Sequence, residues 1–294
     1  VYNEKENIEA FLKELKIHLD EITAYEIIFC LDPSIDGTED IILNNISNNK
    51  NIKLIEMSRR FGQSAAIMAG INNCNGDACI IIDCDLQDPP NLIPKMIKLY
   101  EEGYDVVAAK RIDRGSENIL KKYLTLSGYW LINKLSDIKI PKNVGDFRLI
   151  SRNVIDELNK FPETQGFLRG LVPFVGFKQT IIEFNRKNRK DGISKYNSIT
   201  GSIENGFNGL FGFSTKPLSL ILLMSIILMI FCIIGIGALV FSKFYLNYNF
   251  PIGFPSLFIL ITFFGALNLF CIGILGEYIG RIFKESRKQP LYII

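Results

Sequence analysis

Histidine is almost absent from this 294-residue sequence, which contains only His18. That residue falls among the polar positions of an amphipathic helical pattern over residues 4–20. Catalytic triads that use histidine, and zinc sites built from it, are therefore excluded. The six cysteines form no C-x-x-C pair, so neither a zinc site nor a disulfide framework is indicated. They are expected to be small buried side chains in a reducing compartment.

The sequence also lacks an excess of either positive or negative residues. The chain has 33 Lys and Arg residues against 31 Asp and Glu residues, a formal net charge of +2. This balance gives no general basis for nucleic-acid binding, so any anion-binding surface must be local. No G-x-G-x-x-G follows a predicted strand, which argues against a dinucleotide-dependent dehydrogenase.

Apolar residues, by contrast, are abundant at 48% of the chain. Residues 217–242 and 244–276 carry no charge, and about 20 apolar residues suffice to cross a bilayer. We therefore predict two transmembrane helices, at residues 218–241 and 256–279; a buried hairpin of a soluble protein is the alternative. Lys and Arg cluster before the first stretch and after the second, with only Lys243 between them. By the positive-inside rule, both termini are predicted to be cytoplasmic.

The predicted membrane region divides the chain into parts. Apolar residues recur at helical spacing just before it, which predicts an amphipathic helix in contact with membrane lipids at residues 197–215. We expect a globular domain at residues 1–196, the interfacial helix, a two-helix membrane region at residues 216–281, and a cytoplasmic tail at residues 282–294.

The globular part is organised around an apolar, β-branched run at residues 80–82, followed by Asp-Cys-Asp-Leu-Gln-Asp-Pro-Pro. This pattern predicts a buried strand that delivers carboxylates to its carboxyl end, where open α/β sheets bind ligands. A turn there could bring Asp83 and Asp85 near one point and favour a divalent cation, which would hold a diphosphate. Solvated turn acids are the alternative interpretation.

Residues 83–90 closely resemble the D-x-D-L-Q-x-P-P signature of family 2 glycosyltransferases, specifically the polyprenyl-phosphate type that includes dolichol-phosphate mannose synthase and bactoprenol glucosyltransferase. The resemblance implies an α/β fold of the GT-A type with a mostly parallel sheet. It also implies Mg²⁺ or Mn²⁺ held by Asp83, Asp85 and Gln87. The opening Val-Tyr-Asn-Glu resembles a motif that follows a first strand in the family, so we expect a further strand before Val1.

The same resemblance implies a set of donor contacts. Residues 32–38 resemble the nucleotide-binding D-D-G-S-x-D-G-T turn, although Leu31 and Pro33 replace its first Asp and its first Gly. Residues 59–62 resemble an Arg-Asn-Phe-Gly turn, and residues 186–196 resemble a basic loop that closes over the diphosphate. The implied nucleotide-sugar contacts are Tyr2, Glu4, Asp32, Arg59, Arg186, Arg189 and Lys195.

On the acceptor side, Arg111 and Arg114 match an R-x-x-R-G segment that the resemblance assigns to the acceptor phosphate. Residues 145–149 match the G-D-F-R-L element, whose Asp lies near the reacting centre in the family. Whether Asp146 is a general base or a positioning group stays open, because a phosphate nucleophile is already ionised at neutral pH. Residues 167–171 resemble a short Arg-Gly helix behind the site, and the tail resembles the G-E-Y-x-G-R…P-L-Y ending of bactoprenol glucosyltransferases.

The resemblance implies an inverting, metal-dependent transferase with Asp83, Asp85 and Asp146 as its catalytic residues. It would move a hexose, by first choice glucose from UDP-glucose, to undecaprenyl phosphate at the cytoplasmic membrane face. A GDP-mannose or amino-pentose donor is the alternative, and an inactive membrane scaffold is a hypothesis from a different class. Whether copies associate through the membrane region stays open.

Overall fold

The computed structural model describes residues 1–19, 22, 24–112, 141, 144–161, 168–185 and 253–294, with scattered positions between 216 and 245. The predicted interfacial helix at residues 197–215 and the basic loop at 186–196 lie outside these residues. So do about two thirds of the residues of the first predicted membrane span.

Helices and strands alternate in the first part of the chain: α1 (Lys5–Leu19), β1 (Ile27–Leu31), α2 (Thr38–Asn48), β2 (Ile52–Glu56) and α3 (Gln63–Asn73). β1 and β2 pair in parallel, with Ile27 opposite Ile52. Val1 extends this sheet on the other side of β1, because its ammonium nitrogen donates to the Cys30 carbonyl and its own carbonyl accepts from the Asp32 N–H. The apolar stripe of α1 packs against β1, as its helical spacing predicts.

The second sheet has four strands: β3 (Ala78–Ile81), β4 (Val106–Arg111), β5 (Val144–Ser151) and β6 (Gln179–Phe184). Their order is β3-β5-β4-β6; β5 runs antiparallel to both of its neighbours, and β4 and β6 are parallel. The expected sheet was mostly parallel, whereas the described strands form two parallel and two antiparallel pairings. The difference comes from β5, which contains the G-D-F-R-L element and enters the middle of the sheet in the reverse direction.

Helices cover both faces of the four-stranded sheet. The covering helices along this part of the chain are α4 (Ile93–Glu101), α5 (Arg152–Leu158) and α6 (Leu168–Val175). Val107 and Leu149 face α4 in one buried cluster, while Val106 and Ile150 pack with α3, α5 and α6 in another. Successive strand residues point to opposite faces, so the near-continuous apolar runs in β4 and β5 follow from burial on both sides.

The last described helix, α7 (Phe254–Ser286), has 33 residues. Its stretch Phe263–Phe283 is long and apolar enough to cross a membrane, and none of it is buried. This stretch overlaps the second predicted span. α7 also extends into residues assigned to the tail, and beyond it the chain turns back to the globular domain, where the Ser58 N–H donates to the Ile293 carbonyl.

Candidate active site

The two acids of the D-x-D element lie beyond the last ladder pair of β3, as the sequence predicts. Leu86 adopts a left-handed conformation with φ 58°, and the Gln87 N–H donates to Asp85 Oδ1 at 3.1 Å. This turn keeps both acids at the carboxyl end of β3. From the start of α3, the Gln63 amide Nε2 donates to Asp83 Oδ1 at 3.0 Å.

Several carboxylates converge on Asp83. Burial, together with the charges of Asp88, Asp85 and Asp146, raises the pKa of Asp83 to about 6. Among the described residues, no set of three His, Cys, Asp or Glu side chains could hold a metal ion. Mg²⁺ is commonly held by one or two carboxylates together with substrate phosphates. Asp83 and Asp85 therefore fit a cation site that a bound diphosphate would complete, and a ligand role for the Gln87 side chain stays a prediction.

The third acid of the octapeptide, Asp88, pairs with a residue of β4. The Asp88 side chain is buried, and its Oδ1 lies 3.6 Å from Nη2 of Arg111 at the end of β4. Gly145 lies against the same guanidinium, since a Cβ at this position would be 3.3 Å from Arg111 Nη2. Arg111 thus connects the D-x-D segment to β5.

Asp146 lies on β5 and is held by a residue of α6. Arg169 donates from Nε to Oδ1 at 2.9 Å and from Nη2 to Oδ2 at 2.7 Å. Burial alone would raise the pKa of Asp146, but the hydrogen bonds and charge of Arg169 outweigh it, so the pKa is lowered. Behind them, Arg148 is fully buried and donates to the Gly145 carbonyl at 2.6 Å. A carboxylate in this state is a poor proton acceptor.

Residues 58–63, which we call the donor loop, follow β2. Asp32 is buried, and its two oxygens accept the Phe61 N–H at 3.0 Å and the Gly62 N–H at 2.9 Å. The Arg59 guanidinium lies 4.1 Å from the centre of the Phe61 ring. Asp32 therefore anchors the donor loop, and its predicted contact to base or ribose stays a prediction.

The remaining predicted donor residues lie near the chain start. The Tyr2 ring stacks under the Arg60 guanidinium at 4.1 Å, which brings Tyr2 to the donor loop. The Glu4 N–H donates to Thr38 Oγ1 at 2.9 Å, and its carboxylate accepts from Asn7 at 2.6 Å. Arg114, Arg186, Arg189 and Lys195 lie outside the described residues.

Sequence reasoning missed three residues of this site. Asp88 belongs to the octapeptide but was not assigned a role there, and Gln63 directly follows the Arg-Phe-Gly turn. The sequence indicates Arg169 only as part of a short helix, because its contact with Asp146 joins residues 23 apart in the chain. Only Asp88 and Gln63 had a local sequence signal.

The sequence profile of Glycosyl transferase family 2 matches residues 1–158, more than half of the chain. This chain is a family 2 glycosyltransferase. It is 39% identical to the bactoprenol glucosyl transferase of Shigella phage SfV, over all of this chain and 95% of that protein. It is 36% identical to the uncharacterized glycosyltransferase sll0501 of Synechocystis, over all of this chain and 92% of that one.

A solved structure also resembles this family 2 glycosyltransferase. The mannosyltransferase PcManGT from Pyrobaculum calidifontis, in complex with GDP-Man and Mn²⁺, matches with a TM-score of 0.50 at 14% identity. The match covers 97% of this chain and 85% of that one. At this identity the likeness concerns the fold, which is a GT-A-like α/β fold.

Proposed function

We propose that this enzyme transfers glucose from UDP-glucose to undecaprenyl phosphate, with inversion, at the cytoplasmic membrane face. The observation that carries the proposal is the convergence of Asp83 and Asp85 with Arg111 and Asp146 at one end of the sheet. The full-length similarity to a protein named bactoprenol glucosyl transferase supports glucose and a polyprenyl phosphate as the substrates.

Asp83 and Asp85, with Gln87 nearby, would hold Mg²⁺ or Mn²⁺ against the donor diphosphate. When bound, a divalent cation neutralises the charge that develops on the diphosphate leaving group. The raised pKa of Asp83 supports this role, since crowded carboxylates favour a cation between them. Tyr2, Glu4, Asp32 and Arg59 would contribute on the nucleotide side.

The remaining site residues bind or orient the acceptor and keep water away from the donor. Arg111, with Arg114, attracts the lipid phosphate, whose oxygen attacks the anomeric carbon from the face opposite the leaving group. Asp146, held as an anion by Arg169, orients these groups without taking a proton. The basic loop carrying Arg186, Arg189 and Lys195 excludes water, because hydrolysis of the donor competes with transfer.

The membrane arrangement is part of the same proposal. α7 and residues 218–241 form two spans, with both termini and the catalytic domain on the cytoplasmic side. The helix at residues 197–215 lies in the interface and delivers the domain to the lipid phosphate. This places a soluble donor and a lipid acceptor at the same edge of the sheet.

The test uses full-length protein in detergent with undecaprenyl phosphate, Mn²⁺ or Mg²⁺, and labelled UDP-glucose, GDP-mannose and an amino-pentose nucleotide. We expect metal-dependent label in the organic phase from UDP-glucose. Transfer from one of the other donors would show that the proposed sugar is wrong, while the proposed reaction, transfer to a polyprenyl phosphate, would stand. Folded protein that transfers from none of the donors would contradict the proposal and favour a membrane scaffold.

A further inference from the structure

The chain returns to the globular domain directly after its apolar helix. α7 ends at Ser286, the Lys288 N–H donates to the Glu285 carbonyl at 3.1 Å, and Lys288 adopts a left-handed φ of 47°. This left-handed residue reverses the chain direction at the helix end. Among the residues that follow, Leu291, Tyr292 and Ile293 contact the domain, and we call Leu291–Ile294 the docking segment.

The docking segment contacts the side of α3. Asn72 donates from Nδ2 to the Tyr292 hydroxyl at 2.9 Å. Leu291 and Tyr292 pack against the cluster that includes Met68 and Ile71. Tyr292 also packs against a second cluster formed by Ile55, Met57, Ala66 and Ala69, and Phe61 of the donor loop packs against the same cluster. One side chain of the docking segment and one of the donor loop therefore share an apolar support.

The backbone makes a more direct connection. The Ser58 N–H donates to the Ile293 carbonyl at 2.9 Å, while the preceding Met57 N–H donates to Leu31. The Ile293 carbonyl therefore holds Ser58, the first residue of the donor loop, just after the end of β2. The far end of that loop reaches the catalytic acids, because Gln63 donates to Asp83.

We propose that the docking segment is a positioning element of the donor site, which holds the donor loop so that Arg59 and Gln63 face the nucleotide sugar. Leu291 and Tyr292 are half-buried against the domain, whereas the last two residues of the segment are exposed. Ile293 and Ile294 are 51% and 61% exposed, so their burial adds little to the core. The connection also links α7, which carries the candidate membrane-spanning stretch, to the donor loop. The assignment of the donor rests on the proposed function, but the mechanical contact does not.

The experiment measures amide hydrogen exchange in full-length protein in lipid nanodiscs. A variant lacking residues 290–294 is compared with the intact chain at the Phe61 and Gly62 amides, with the Val107 and Leu149 amides as internal references. We expect donor-loop exchange to rise about tenfold or more in the truncated protein, while exchange in the central sheet is unchanged. Tyr292→Phe removes only the hydroxyl contact to Asn72, so it should raise loop exchange about twofold to tenfold.

A matched variant and a kinetic measurement sharpen the test. Tyr100→Phe removes another tyrosine hydroxyl contact, to the Asp77 carbonyl on the far side of the sheet, and should leave loop exchange unchanged. In transfer assays, Tyr292→Phe should raise KM for the nucleotide sugar about twofold to tenfold, while KM for the lipid phosphate stays the same. Equal changes in both KM values would contradict a donor-side role.

The outcomes separate this inference from the proposed function. Unchanged loop exchange in the truncated protein would overturn the inference even if glucose transfer is observed. An equal rise in the loop and in the central sheet would also overturn it, because the segment would then stabilise the whole domain. If loop exchange alone rises but no donor is used by either protein, the inference stands and the proposed function fails.

Discussion

Arg169 engages both carboxylate oxygens of Asp146, at 2.9 and 2.7 Å. The pair joins α6 to β5 at the point where β5 passes the D-x-D segment. A two-bond contact of this kind fixes the plane of the carboxylate as well as its charge. The arrangement favours the positioning alternative for Asp146 over the general-base alternative.

We expect Arg169→Gln to lower the free energy of unfolding by about 2 kcal/mol, because it leaves a largely buried carboxylate without its main charge partner. This figure is below the range for fully buried pairs, since the Arg169 side chain is 30% exposed. The measurement is the melting temperature in detergent. Asp156→Asn is the matched control, because its ion pair with Arg152 is long and exposed and should cost less than about 0.5 kcal/mol. Equal losses in the two variants would contradict the prediction.

The same pair predicts a pH dependence of stability. The pKa of Asp146 is lowered in the folded protein, with Arg169, Arg148 and Arg111 as the positive charges near it. Its contribution is therefore present above the unfolded pKa of about 3.9 and is lost as the pH falls through the folded value. The difference in melting temperature between wild type and Asp146→Asn should be largest near neutral pH and shrink in acid. A difference that is independent of pH would show that charge plays no part.

Local patterns predicted most of the elements but not how they meet. The helical pattern over residues 4–20 and the apolar run at residues 80–82 predicted α1 and β3, whose observed ends differ from the predicted ones by one or two residues. β5 was not predicted as a strand, because Asp146 and Arg148 interrupt its apolar run. Asp146 is tolerated there because Arg169 pairs with it, whereas Arg148 donates from Nη2 to the Gly145 carbonyl and its buried Nε has no hydrogen-bond partner among the described residues. Arg169 comes from α6 and has no signal in the sequence around β5.

The docking segment shows the same limit at longer range. In the sequence, residues 289–292 resemble only a family ending, and no periodicity indicates where such a short segment packs. Its bond from Asn72 to Tyr292 spans 220 positions. Contacts of this separation depend on the path of α7, which the local sequence does not encode.

Asp85→Asn should abolish most transfer without loss of folding. The amide oxygen can still accept the Gln87 N–H and keep the turn, but a neutral amide is a weaker ligand for a divalent cation. We expect the transfer rate to fall at least about 100-fold with a melting temperature close to wild type. Glu101→Gln is the control, because it removes the charge of an exposed residue on α4. This variant should keep full activity. If Asp85→Asn transfers glucose at the wild-type rate, Asp85 is not a ligand of the metal.

Asp32→Asn should loosen the donor loop. An amide can accept only one of the two N–H groups of Phe61 and Gly62, and its NH₂ would face the other donor. The expected cost is about 1–3 kcal/mol, seen as faster exchange of both loop amides. Asp36→Asn is the matched control, because Asp36 accepts from Lys5 and Thr38 instead. Loop exchange that rises equally in both variants would show that Asp32 does not hold the loop specifically.

Arg111 is predicted to act both on the fold and on the acceptor, and one pair of variants separates these roles. Arg111→Gln removes the ion pair of a buried Asp88 carboxylate, so the melting temperature should fall. The double variant Asp88→Asn with Arg111→Gln removes the buried charge as well, and most of the lost stability should return. KM for undecaprenyl phosphate should stay raised in the double variant, because the cation that attracts the phosphate is still missing. Lys110→Gln, which breaks only the exposed ion pair with Glu183, is the neighbouring control and should change neither quantity much. If the double variant recovers both stability and acceptor KM, Arg111 serves the fold alone.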